Sequence, residues 1–184
     1  ADGISLDTGF ATEWSPSHNL QWKSPLIGRG ASAPIVSKEF VFITLQIGEG
    51  PMETRLPRDR ENASSWEREA PLNKGVYFLI QAHHRDDGRL LWTYRIDAPK
   101  DVPSVYPTHN LASPSVVTDG VAIYSWFGTG QLVSLDFEGR LIWSRDLGAD
   151  YFPFRVQRGH ASSPVLYNES LLLLVDHTDS AMLL

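Results

Sequence analysis

From residue 112 to residue 147 the chain alternates short apolar runs with turn-forming residues at a spacing that suits only short strands. Residues 112–118 are rich in Val and Ser and end at Asp119-Gly120, a dipeptide that favours a tight hairpin. Residues 121–127 form a second β-branched and aromatic run, closed by Gly128-Thr129-Gly130. Residues 131–136 alternate apolar and polar, Glu138-Gly139 supplies the next turn, and 140–147 make a fourth run centred on Trp143. Four short strands joined by tight turns predict one antiparallel four-stranded sheet. No helical period is sustained anywhere in this stretch.

The same unit recurs. Three starts share small residues with proline: Ser32-Ala33-Pro34, Ser113-Pro114-Ser115 and Ser162-Ser163-Pro164. Asp87-Gly88-Arg89-Leu90-Leu91-Trp92 is repeated almost unchanged as Glu138-Gly139-Arg140-Leu141-Ile142-Trp143. A repeat of about 50 residues belongs to solenoids and propellers. The units divide the single domain 1–184 into a last strand of a preceding sheet at 19–26, a sheet at 31–97 carrying an inserted loop at 47–74, a sheet at 111–147, and an incomplete sheet at 161–184. Such a sheet needs a neighbour on each face, and radial stacking into a propeller of 4–8 sheets provides it. The fold class expected is therefore all-β, a partial propeller of four-stranded antiparallel blades. With about two and a half units, the chain reads as a fragment of a longer ring.

Trp22, Trp92 and Trp143 hold the same place in successive outermost strands, which predicts structural rings packed between neighbouring sheets. Burying one indole is worth on the order of 4–6 kcal/mol at most.

Composition narrows the chemistry. With 42% apolar and 11% aromatic residues the chain can bury a core. It contains no cysteine, which excludes disulfides, thiolate metal sites and a cysteine nucleophile from this stretch. A formal net charge of −6 argues against nucleic acid as a partner. No apolar run approaches the ~18 residues of a membrane span.

Taken together, Ser163-Pro164-Val165, the third-strand residues Gly130, Leu132, Leu135 and Asp136, and Gly139-Arg140-Leu141-Ile142-Trp143 resemble the repeat of the quinoprotein alcohol dehydrogenase-like (PQQ-binding-like) propellers. That superfamily also holds the non-catalytic propeller lipoprotein of the bacterial outer-membrane assembly machine. Thr12-Glu13-Trp14-Ser15-Pro16, Gly28-Arg29-Gly30, His109-Asn110-Leu111-Ala112-Ser113-Pro114 and Trp126-Phe127-Gly128-Thr129-Gly130 look similar to bacterial secreted proteins carrying this repeat. The resemblance implies a parent of eight blades and a periplasmic or secreted location. It also brings pyrroloquinoline quinone and calcium into view as cofactors. The enzymes of the family use a vicinal cysteine pair, which this chain lacks, and no residue here matches their calcium or catalytic aspartate motifs. No cofactor is therefore supported by these residues.

In this strand order the connections 47–74, 97–111 and 148–161 open on one rim, together with Gly28-Arg29-Gly30. Long loops on a rigid scaffold are where binding resides. Arg29, His109, Asn110, Arg158 and His160 precede the innermost strands, placing them as candidates to bind an anionic or polar ligand. The insertion mixes six acids with five bases, and its Met52 and Trp66 are candidate anchors for a protein partner. His83 and His84 are neighbours on a strand and point to opposite faces, so they cannot chelate one ion; His84 is expected to hold the place of Leu135. His177 lies in a turn with Asp176 and Asp179, which alone specifies no metal site. The sequence thus favours a non-catalytic binding scaffold, with a quinone-dependent dehydrogenase or a receptor's sensor domain as alternatives.

Overall fold

A computed structural model describes residues 8–48, 75–103, 105, 109–152, 154, 160–176 and 181–184. The first sheet runs β1 (Ile35–Ser37), β2 (Phe40–Ile47), β3 (Tyr77–His84) and β4 (Leu90–Asp97), antiparallel and in sequence order. The second repeats that plan in β5 (Val117–Thr118), β6 (Ala122–Trp126), β7 (Gln131–Asp136) and β8 (Leu141–Asp146). A single helical turn, α1 (Leu147–Asp150), follows, with Asp146 accepting from the amides of Gly148 and Ala149. In the third unit β9 (Val165–Tyr167) pairs with β10 (Ser170–Leu172), and β11 (Leu174–Asp176) pairs with β12 (Ala181–Leu183). Leu173 joins β10 to β11 and exchanges backbone bonds of 2.9 and 3.0 Å with Leu184.

The sheets stack face to face. Phe42, Phe78 and Ile80 of the first meet Ile123, Phe127, Val133 and Leu135 of the second in one buried cluster. Phe78 and Phe127 lie stacked with ring centroids 4.5 Å apart. The opposite face of the second sheet presents Trp126 and Leu132 to Leu173 and Val175 of the third. Consecutive four-stranded antiparallel sheets stacked in this way make the chain an all-β partial β-propeller, as the sequence pattern anticipates. On the third sheet Val165, Tyr167, Leu174 and Leu183 remain exposed.

Three details differ from the expected elements. Residues 19–26 form no strand, because no neighbouring strand among the described residues supplies a ladder. The innermost strands start later than expected, at Ile35 and Val117. Pro34 and Pro114 lack an amide for the ladder, and the amides of Ala33, before the first proline, and Ser115, after the second, bond across to the next unit instead. Finally, Val41 faces His83 where Ile123 faces Leu135. His83, not His84, therefore takes the place of Leu135. Counting back from the tryptophan goes wrong by one because the first β3–β4 turn has an extra residue.

The turns are secured by carboxylates. Asp119 accepts from the amides of Val121 and Ala122 at 2.8 and 2.7 Å and from the Tyr124 hydroxyl at 2.9 Å. Burial works to raise its pKa, but these hydrogen bonds outweigh it and hold the group below its ordinary value of 3.8. A carboxylate depressed in the fold contributes stability above its unfolded pKa, lost as pH falls through the folded value. Asp119→Asn is accordingly expected to destabilise by about 1 kcal/mol at neutral pH, after allowance for solvent screening. The gap between variant and wild type should close in melts recorded well below pH 3.8.

Candidate functional site: a braced rim

With strands in sequence order, the carboxyl ends of the second and fourth strands of each sheet lie at one edge. The β2–β3, β4–β5, β6–β7 and β8–β9 connections all leave from that edge. Its framework is a run of backbone contacts from segment to segment. Arg29 and Gln46 exchange main-chain bonds of 2.9 and 2.8 Å. The Gln46 side chain, itself buried, accepts from the Leu111 amide at 2.8 Å. The Leu111 carbonyl accepts in turn from Gly128 at 2.7 Å. A Cβ at Gly128 would lie 2.9 Å from Leu111 Cδ2, so glycine is needed for this close approach.

The candidate residues divide by surroundings. Arg29 is exposed. His109 is half-buried, and burial pushes its imidazole pKa below 6.5. Its Nδ1 lies 3.2 Å from Ser113 Oγ, which donates to the Asn110 carbonyl at 2.6 Å. Asn110 is buried, and its Oδ1 accepts from the Ala112 amide at 2.9 Å, closing a local turn. His160 is buried with its ring centroid 5.2 Å from Trp126 and 5.0 Å from Phe154. Arg158, Met52 and Trp66 lie outside the described residues, as does His177. Asn110 and His160 are thus buried, His109 is half-buried and Arg29 is exposed.

Sequence reasoning missed Trp126 as a structural residue. It is fully buried, and its indole donates to the Ser162 carbonyl at 2.8 Å. Thr44 stands at the same register in the first sheet and donates to the Ala112 carbonyl at 2.8 Å. The pair emerges only from strand register, in which Phe42–Ala82–Trp92 corresponds to Tyr124–Ser134–Trp143. A second missed device is a serine ladder at the innermost strands. Ser115 Oγ accepts from the Ala33 amide at 2.9 Å, and Ser163 Oγ accepts from the Ser115 amide at 3.0 Å.

The outer tryptophans differ among themselves. Trp22 donates to the Arg85 carbonyl at 2.7 Å and lies against Gly88. Trp92 repeats this one sheet on, donating to the Phe137 carbonyl at 2.8 Å and lying against Gly139. Trp143 is 36% exposed, and its aromatic neighbour among the described residues is a tilted Tyr124 ring 6.0 Å away.

His83 is buried and bonded to the Gly88 carbonyl at 3.1 Å and to Gln81 at 3.3 Å, while His84 faces Asp87 at 3.3 Å. Among the described residues no three His, Asp or Glu side chains converge.

Stacked four-stranded sheets with their connections gathered on one edge define a repeat protein of the propeller class. No family model matches the chain, and no curated protein matches it. Among solved structures it is similar to BamB from Moraxella catarrhalis, at 13% identity and a TM-score of 0.46. That likeness covers 83% of this chain and 32% of BamB, so the chain spans about a third of that protein's length.

Proposed function

We propose that this chain is part of a non-catalytic, extracytoplasmic propeller that binds a protein partner or a small polar ligand across its loop-bearing rim. The observation that carries this reading is the gathering of the long connections on one edge, braced by the Arg29–Gln46–Leu111–Gly128 run of hydrogen bonds. A rigid edge carrying long loops binds without the ordering cost that flexible segments incur. Location outside the cytoplasm and membership in an eight-bladed, PQQ-like repeat family rest on the sequence resemblance.

Photo-crosslinking residues at Arg29 and His109, compared with Leu141 and Ile142 on the outer strand β8, test the reading in the full-length protein. Discrete adducts from the two rim positions alone are expected. Equal adducts from all four, or none from the rim, would refute rim binding. Reconstitution with pyrroloquinoline quinone and calcium, followed by dye reduction, separates this reading from a dehydrogenase.

A further inference from the structure

The edge opposite the rim carries a cleft of ≈ 510 Å³ between the first and second sheets. Its walls include Phe40 and Trp92 from the first sheet and Phe137 from the β7–β8 turn of the second. Phe40 and Phe137 meet edge to face with centroids 5.4 Å apart. Glu39 and Glu138 also line the cleft. This volume lies within the range of small-ligand sites, roughly 300–1,000 Å³.

The charges around the cleft are unequally engaged. Arg89 and His84 both turn to Asp87, each at 3.3 Å. Glu138 is paired with Arg140 at 3.0 Å. The Glu39 carboxylate is exposed and makes no hydrogen bond or ion pair among the described residues. Meanwhile the outer face of Phe137 already attracts a cation of this chain: the Lys38 ammonium lies 4.5 Å from its ring centroid. Arg95 sits likewise over Tyr77 at 4.0 Å. Aromatic faces beside an unengaged carboxylate suit a cation on an apolar stem.

From this juxtaposition we infer that the cleft is a docking site for an arginine or lysine side chain of a basic peptide partner. The stem packs along Leu91 and Trp92, the charged head faces the phenyl rings, and Glu39 supplies the counter-charge. The site lies on the opposite edge from the rim and does not depend on rim binding.

A fluorescent, capped tri-arginine peptide titrated into the full-length protein at low salt, read by anisotropy, tests it. Saturable binding is expected, clearly tighter than for the matched tri-citrulline peptide. Glu39→Gln should weaken it about fivefold and Glu39→Lys further, with the melting midpoint unchanged. Glu169→Gln on the third sheet makes the same charge change elsewhere and should leave affinity as it was. The inference is overturned if arginine and citrulline peptides bind alike, if Glu39→Lys binds as wild type does, if Glu169→Gln weakens binding equally, or if no binding occurs.

Discussion

Trp92→Ala is expected to destabilise the protein by about 3–5 kcal/mol, the range for truncating a packed aromatic ring. The ring lies against Gly139 on the next sheet and 6.0 Å from Phe42, and its N–H satisfies the Phe137 carbonyl. Removing it leaves a void between two sheets and a carbonyl that has lost its partner. Trp143→Ala, made in the same 184-residue chain, is expected to cost less than about 1 kcal/mol. Its ring is 36% exposed and its indole N–H meets no neighbouring turn among the described residues. Denaturant titrations of both variants, at constant slope, make the comparison. In a longer polypeptide that lays a further turn over Trp143, its cost should climb toward that of Trp92. Equal costs in the 184-residue chain would show that sheet-to-sheet contact is not what these rings provide.

Gly139→Ala should be nearly as damaging, by about 2–5 kcal/mol, through two separable effects. Gly139 has φ +82°, where an L side chain costs roughly 1–2 kcal/mol. A methyl there would also lie 2.7 Å from Trp92 Cδ2, an overlap of the kind that adds about 1–3 kcal/mol. Gly120 offers the control, with φ +88° and no atom within 4 Å of an added Cβ. Gly120→Ala should therefore show the backbone cost alone. A double-mutant cycle of Gly139→Ala with Trp92→Ala isolates the overlap, because the three atoms nearest the added methyl all belong to that ring. Equal effects at Gly139 and Gly120 would mean that the ring yields freely.

Most of the fold was legible because its causes are local. Asp119-Gly120 and Glu138-Gly139 mark turns, and alternation within β7 marks a strand with two distinct faces. Position across sheets was harder to read. Residues 19–26 have strand composition, yet a ladder needs a partner that composition does not report. Trp126 and Thr44 share a position and a task while differing in size and chemistry, so no repeat of residue type betrays them. The displacement between His83 and His84 comes from one added turn residue, visible only once register is fixed. At the rim, the loop edge followed from strand order alone. Side-chain burial did not: Asn110 and His160, chosen for their chemistry, are buried.

The serine ladder has an evolutionary reach. Ser115 both receives the Ala33 amide and hands its own amide to Ser163, so each unit is tied only to the ones beside it. Ser115 follows Pro114 whereas Ser163 precedes Pro164, so the two junctions are bonded in different registers. A duplicated or deleted unit would therefore have to re-form its hub contact in the register of its new neighbour.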